Sequence, residues 1–194
     1  MTVDDVLAYP HQIGDALWRI ESAGIARRGG PVVVCGPSGG AGGLAALAGA
    51  DARDGVPAGE DALVLCASYS GDDAEALDCF GAAAVPRVVV CTAGQLAARA
   101  REEGVPVIGV PAGLPDGGAI VYFLMAALWC ADPSLARAAE AVAPTLVRLG
   151  REWGSDVPDE PVAVDGPPVE RVLVELFRRD LAAAYAAAGA SPDA

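Results

Sequence analysis

The most informative stretch of this sequence is Ala62-Leu63-Val64-Leu65-Cys66-Ala67-Ser68-Tyr69-Ser70-Gly71-Asp72-Asp73. Its first part is apolar throughout, which is typical of a strand buried on both faces of a parallel sheet. Two serines and a glycine follow, and Asp72, Asp73 and Glu75 then open a helical pattern. Serine hydroxyls and free backbone N–H groups at the start of a helix favour anion binding. The stretch therefore predicts a βα unit whose turn contacts a ligand.

The alternation of strand and helix continues on both sides of this unit. Apolar strands are predicted at Pro31–Cys35, Leu63–Ala67, Arg87–Cys91 and Val105–Val110. Helical spacing follows the first three strands, at Leu44–Ala48, Asp73–Ala83 and Gln95–Glu103. Apolar strands that alternate with helices indicate a parallel sheet covered on both faces. We therefore predict an α/β three-layer sandwich with a four- or five-stranded parallel sheet of the doubly wound, flavodoxin type.

Three segments are predicted along the 194 residues. Residues 1–150 form the α/β domain, which starts with one or two helices over Val3–Arg28 and ends in a helical region, Ala119–Leu149. Residues 151–168 are rich in Gly, Pro and acids and are predicted to be a linker or exposed loop. Residues 169–194 are predicted to form an amphipathic helix whose last residues, Ser191–Ala194, fray.

A second turn that could bind a ligand, the glycine-rich Gly36–Gly43, follows the first strand. Its glycines permit a tight connection to the next helix. A third turn, Thr92-Ala93-Gly94, follows the third strand. The carboxyl ends of parallel strands meet at one edge, where ligands bind in open α/β sheets. The predicted ligand-binding residues at this edge are Gly36, Ser38, Gly39, Gly40, Ser68, Ser70, Gly71, Asp73 and Thr92. The alternative is that these serines and glycines only shape and cap the turns.

Composition and motifs argue against several classes of function. A net charge of −13 argues against a nucleic-acid surface or an anionic-membrane partner. The longest apolar run, Ala119–Ala131, is short of the ~20 residues of a membrane span. The glycine-rich turn lacks a G-x-G-x-x-G pattern, and no acid ends the second strand, so we predict no dinucleotide and no other cofactor. The acidic N-terminus lacks the features of a signal peptide, so we expect a cytoplasmic protein.

The cysteines are predicted to pack as small apolar residues. Cys35, Cys66 and Cys91 each lie in or at the end of an apolar strand. The five cysteines include no CxxC spacing, and His11 is the single histidine. We therefore predict no metal site.

The ordered motifs resemble a known family. They are Cys35-Gly36-Pro37-Ser38-Gly39-Gly40, Ser68-Tyr69-Ser70-Gly71-Asp72-Asp73, Thr92-Ala93-Gly94, the Val107–Leu114 run and the C-terminal Phe177–Pro192. In this order they resemble the sugar isomerase (SIS) domain, and within it the bifunctional phosphoglucose/phosphomannose isomerase family. The resemblance implies a sugar-phosphate ligand at the strand ends, aldose–ketose isomerisation, and pairing of SIS domains.

Four departures from that family argue against isomerase activity. Asp73 replaces the phosphate-binding threonine, and Gly40 replaces a serine, although Ser38 lies two positions earlier. The Pro-Arg motif is Pro115-Asp116, which puts an acid in place of a cation. The second SIS domain, which supplies the glutamate base and the histidine, has no counterpart. Glu75 is the one weak candidate for a catalytic base; its alternative role is to cap the helix.

Three functions remain open. The preferred hypothesis is a carbohydrate-derivative (sugar-phosphate) binding protein, catalytically degenerate and regulatory. The alternative is an active isomerase of glucose 6-phosphate or mannose 6-phosphate whose site is shared between subunits. The second alternative is a scaffold or partner subunit without a ligand, because the apolar Ala119–Ala131 and Leu173–Leu181 surfaces look extensive for one small domain. We expect a homodimer or heteromer formed through Ala119–Leu149 and the terminal helix.

Overall fold

Five parallel strands form the centre of the protein. The computed structural model describes residues 1–25, 31–56, 62–115 and 117–189. In these residues the strands are β1 (Val32–Cys35), β2 (Ala52–Asp54), β3 (Leu63–Ala67), β4 (Arg87–Cys91) and β5 (Val107–Gly109). Their order is β2-β1-β3-β4-β5, and every pair is parallel. The predicted α/β fold is confirmed, and the strand order is that of the flavodoxin type.

Nine helices surround the sheet in the described residues. They are α1 (Val3–Leu7), α2 (Tyr9–Ser22), α3 (Ala41–Leu47), α4 (Ala74–Ala82), α5 (Gly94–Glu102), α6 (Ile120–Ala131), α7 (Pro133–Glu140), α8 (Ala143–Trp153) and α9 (Pro168–Gly189). Helices α2, α3 and α6 cover one face of the sheet, and α4 and α5 cover the other. The valine-rich strands suit this position because their alternate side chains enter two separate apolar cores.

Several element boundaries depart from the sequence prediction. Strand β2 was not predicted, because three residues with an exposed Arg53 and Asp54 give no strand pattern. Helix α3 starts earlier, at Ala41, strand β5 is shorter, and helix α8 continues to Trp153. The predicted helix end at Arg28, the acid Asp116 and the fraying end Ser191–Ala194 lie outside the described residues.

The long apolar run is covered by the chain itself. Ten of the twelve residues of α6 are buried, because the helix packs on the sheet and against helices α2, α3 and α7. The interpretation of Ala119–Ala131 as a surface too extensive for one small domain is therefore wrong. Among the described residues, no helix has both the length and the apolar character needed to cross a bilayer.

The terminal helix packs into the domain. Helix α9 contacts α1, α3 and α7, and Leu173, Phe177 and Leu181 are buried there. The hydroxyl of Tyr9 donates a hydrogen bond of 2.6 Å to the buried carboxylate of Asp180. Residues 154–167, between α8 and α9, contain no helix or strand.

The cysteines differ from the sequence prediction at one point. A disulfide joins Cys35 at the end of β1 to Cys79 on α4, so Cys35 is more than an apolar packing residue. Cys66, Cys91 and Cys130 are free and buried. The pair was missed because its members are 44 residues apart and only the packing of α4 on β1 brings them together.

Candidate functional site

Two turns lie side by side at the carboxyl ends of the adjacent strands β1 and β3, from which the chain continues to opposite sides of the sheet. The glycine turn (Gly36–Gly40) follows β1, whose next strand, β2, lies on one side. The serine turn (Ser68–Asp73) follows β3, whose next strand, β4, lies on the other side. Cys35 pairs with Cys66 in register, so the two turns leave the same edge as neighbours. Such a change of direction opens a crevice at the carboxyl ends of the strands, where ligands bind in open α/β proteins.

The glycine turn requires glycine at its first position. Gly36 has φ +101°, in the left-handed region. A Cβ atom there would lie 2.4 Å from the carbonyl oxygen of Ala67 and 2.9 Å from Cβ of Ala76. The turn therefore contacts both the end of β3 and helix α4, and any other residue would push them apart.

The donors of the glycine turn are bound by a carboxylate of the same chain. Asp54, the last residue of β2, accepts hydrogen bonds from Ser38 Oγ (3.0 Å), Gly42 N (3.0 Å) and Gly43 N (2.8 Å). The latter two N–H groups belong to the first turn of α3, where a helix lacks internal acceptors. Asp54 therefore caps α3 from another element and holds the hydroxyl of Ser38, which the sequence predicted to contact a ligand. The sequence offered no signal for Asp54, because β2 was not recognised.

In the serine turn, the carboxylate of Asp73 accepts hydrogen bonds from both serine hydroxyls. Ser68 Oγ donates to Asp73 Oδ2 at 2.5 Å, and Ser70 Oγ donates to the same oxygen at 3.2 Å. Each serine oxygen also accepts a backbone hydrogen bond, Ser68 from Gly71 N (2.8 Å) and Ser70 from Asp72 N (3.1 Å). Asp73 is the N-cap residue of α4 but makes no side-chain cap bond, because its carboxylate is turned back to the serines. Hydrogen bonds to a charged acceptor are about twice as strong as neutral ones.

The third turn, Thr92–Gly94, is locked against the serine turn. A Cβ atom at Gly71 would lie 1.9 Å from the carbonyl oxygen of Ala93. The backbone N–H and the hydroxyl of Thr92 both donate to the carbonyl oxygen of Tyr69. Asp72, interpreted as a first-turn acid, accepts from Gln95 N at 2.9 Å. The hydroxyl of Thr92 thus holds the two turns together.

A polar cluster that the sequence analysis missed lies at the end of β5. Arg19 on α2 donates to the carbonyl oxygen of Gly109 (3.3 Å) and pairs with Asp15 (2.6 Å). Tyr122 on α6 donates to the same carboxylate at 2.9 Å. Burial, with the adjacent Asp15, raises the pKa of the Tyr122 phenol above its usual range. Only the packing of α2 on α6 assembles these three side chains.

The remaining predicted residue at this edge is Glu75. It is exposed in the first turn of α4, and no hydrogen bond or ion pair joins it to another described residue. The hydroxyl of Tyr69 accepts a hydrogen bond from Leu114 N at 2.7 Å. The described part of the chain contains no group of three or more His, Cys, Asp or Glu placed to hold a metal ion.

A separate groove of about 430 Å³ lies between α3 and α9. Its lining includes Leu44, Leu47, Val172, Arg171 and Arg179. None of the residues of the three turns lines it. The groove and the strand-end site are therefore different places on the molecule.

Fold and turns together define a doubly wound α/β protein with three interlocked turns at the carboxyl edge of its sheet. No known family model matches the chain, and no curated protein sequence matches it. Among solved structures it is similar to a hypothetical protein from Thermus thermophilus, with 16% sequence identity and a TM-score of 0.48. The match covers 90% of this chain and 47% of that protein, so the chain spans about half the length of that protein.

Proposed function

We propose that this chain is a carbohydrate-derivative binding protein of the SIS type that carries out no isomerisation by itself. One observation carries the proposal: the serine hydroxyls suited to hold a phosphoryl group donate to carboxylates of the same chain. Ser38 donates to Asp54, and Ser68 and Ser70 donate to Asp73. The site therefore keeps its turns but offers acceptors where a phosphate needs donors.

The ligand that suits such a site brings its own donors. Sugar hydroxyls and amino groups donate hydrogen bonds to carboxylates, whereas a phosphate dianion only accepts. A phosphate about 4 Å from Asp73 would cost about 4 kcal/mol per charge pair at an effective dielectric constant of 20. A neutral hydrogen bond from a serine to the phosphate would stabilise the complex by only about 1 kcal/mol. We therefore expect unphosphorylated or amino sugars to bind more tightly than their phosphates.

The same contacts argue against catalysis. Aldose–ketose isomerisation needs a base that moves a proton between adjacent carbons. Asp54 and Asp73 are each held by serine donors and, for Asp54, by two backbone N–H groups. Both carboxylates already accept hydrogen bonds from the chain itself, so we propose a binding role, in which occupancy of the site regulates another process.

The proposal is tested by calorimetric titration of glucose, mannose and glucosamine, each compared with its 6-phosphate. We expect heats of binding for at least one unphosphorylated sugar and weaker binding of its phosphate. The variant Asp73→Asn removes the charge and keeps the shape, so it should narrow the difference between sugar and phosphate by at least about tenfold. Glu75→Gln is the matched control, since Glu75 is also in the first turn of α4 but contacts neither serine.

Two results would contradict the proposal. The absence of any heat of binding with every sugar at millimolar concentration would show that the chain does not bind these sugars. Tighter binding of the phosphate by the unaltered chain would show that Asp73 does not select against it.

An active phosphosugar isomerase remains the second candidate, because Glu75 is exposed beside the serine turn and is available as a base. It is tested by a coupled assay with glucose 6-phosphate and mannose 6-phosphate on the purified chain. Activity that Ser70→Ala and Glu75→Gln each abolish would favour this candidate. The association of chains that a shared site requires stays a prediction, which light scattering measures directly.

A further inference from the structure

Four of the five cysteines lie on one face of the sheet, beneath α4. Cys35, Cys66 and Cys91 are at or near the ends of β1, β3 and β4, and Cys79 faces them from α4. The disulfide between Cys35 and Cys79 has a Cα–Cα distance of 6.4 Å, within the range that disulfides adopt without backbone movement. Packing thus selects one pair out of four neighbouring thiols.

The bond joins the two turns of the candidate site. Cys35 immediately precedes the glycine turn, and Cys79 lies on the helix that follows the serine turn. The backbone of Gly36 already lies so close to α4 that a Cβ atom would be 2.9 Å from Cβ of Ala76. A covalent bond at this point therefore fixes the position of the glycine turn relative to α4.

The sulfur of Cys35 has a second neighbour. It lies within hydrogen-bonding distance of the carbonyl oxygen of Gly55, the residue after Asp54. A thiol can donate a hydrogen bond to that oxygen, but a disulfide sulfur carries no hydrogen. Oxidation of Cys35 therefore exchanges a bond to the segment that carries Asp54 for a bond to α4.

We propose that Cys35 and Cys79 form a reversible oxidation site that controls how firmly the glycine turn is held against α4. The oxidant is a small disulfide. One cysteine thiolate attacks it and releases one thiol, and the second thiolate attacks the mixed disulfide and releases the other. The small disulfide gains two electrons, the two cysteines lose two hydrogens, and excess small thiol reverses the reaction. Cys79 keeps 7% of its surface exposed, whereas Cys66 and Cys91 are completely buried, so Cys79 is the thiol that meets the small disulfide. Burial also raises the pKa of Cys66 to about 12 and of Cys91 to about 11, which keeps these two neighbours protonated.

Peptide mapping by mass spectrometry tests the pairing. The intact protein is equilibrated in glutathione buffers from fully reduced to fully oxidised, alkylated and digested without reduction. We expect the Cys35–Cys79 peptide pair to dominate in oxidised buffer and to disappear in reduced buffer. Free thiols in every buffer, a pair that involves Cys66, or a bond that survives the reduced buffer would overturn the proposal.

Hydrogen exchange tests the control of the turn. In the wild-type protein the amides of residues 38–41 should exchange at least about tenfold more slowly in oxidised than in reduced buffer. Cys79→Ser should exchange like the reduced protein in both buffers, while Cys66→Ala, which removes a buried thiol from the same cluster, should keep the difference. Equal exchange rates in the oxidised and reduced wild-type protein would overturn the proposal that the disulfide controls the turn. Neither measurement depends on sugar binding.

Discussion

Asp54 shows how one side chain can hold a turn and the start of a helix together. Its carboxylate accepts from two N–H groups at the start of α3 and from the hydroxyl of Ser38. Of these three donors, the sequence predicts only the hydroxyl of Ser38 to bind a ligand. The position of the turn beside α3 therefore depends on the carboxylate of Asp54.

Replacement of Asp54 should therefore cost stability. We expect Asp54→Ala to lower the free energy of unfolding by about 1–2 kcal/mol, the usual cost of a lost helix cap. Urea denaturation measures the change. Asp51→Ala, an exposed acid three residues earlier, is the control and should change stability by less than about 0.5 kcal/mol. Equal effects of the two variants would mean that the bonds of Asp54 contribute nothing.

Burial keeps the three free cysteines in the protonated thiol form. Desolvation raises the pKa of Cys66 to about 12, of Cys91 to about 11 and of Cys130 to about 12, from an ordinary value of 9.0. A thiol whose pKa is higher in the folded state stabilises that state fully below the unfolded pKa. This stabilisation is lost as the pH rises towards the folded pKa, because the unfolded chain then releases protons that the folded chain retains.

Stability should consequently fall between about pH 9 and pH 11, by at most about 1.4 kcal/mol per pH unit for each thiol. Denaturant unfolding across this range measures the slope. Cys91→Ala removes one thiol and should make the slope shallower by up to that amount. A slope that is the same in the variant would show that Cys91 titrates normally in the folded protein.

At the scale of elements, α9 is a layer of the core rather than an appendage. Phe177 is completely buried, and its ring centroid lies 6.2 Å from that of Tyr9 and 6.1 Å from that of Trp153. The hydrogen bond from Tyr9 to Asp180 ties the same helix to α2. Helices that are distant in sequence thus meet on α9.

We expect Phe177→Ala to destabilise the whole chain by about 3–5 kcal/mol, as for other buried aromatic side chains. The half-exposed Tyr185 on the same helix is the control, and Tyr185→Ala should cost less than half as much. Tryptophan fluorescence and far-ultraviolet circular dichroism should report one common transition for each variant. Separate transitions, with α9 melting first, would contradict the packing described above.

At the scale of the whole molecule, acids outnumber basic residues by 26 to 13. Among the described residues, the ion pairs Arg137–Glu21 and Arg148–Glu152 are exposed on both sides, and such pairs contribute about 0–1 kcal/mol each. A net charge of −13 opposes the compact state through repulsion between like charges. Repulsion should therefore outweigh the ion pairs at low ionic strength.

Salt should accordingly stabilise the protein. When ionic strength rises from about 0.01 M to 0.15 M, the screening length falls from about 30 Å to 8 Å. We expect the melting temperature to rise by about 2–4 °C, which corresponds to about 1 kcal/mol for a chain of this size. Sodium and potassium chloride should act alike. A fall in melting temperature would mean that the ion pairs dominate.

The parallel sheet and much of the helical layering follow from local patterns in the sequence. The predicted bounds of Leu63–Ala67 and Arg87–Cys91 equal the observed ones. Apart from Arg87, both runs are apolar without alternation, because a strand covered on both faces leaves few polar positions. Local pattern also placed the serine turn at the end of a strand, since a strand must end where Ser, Gly and Asp accumulate.

Only the tertiary structure decided which groups the turns bind. Ser38 and Asp54 are 16 residues apart, and Cys35 and Cys79 are 44 apart, so no local pattern connects them. The same holds for Arg19 and Gly109, which lie on different layers. The packing of β2 beside β1 brings Asp54 to Ser38, and the packing of α4 on β1 brings Cys79 to Cys35. The packing of α2 beside β5 brings Arg19 to Gly109.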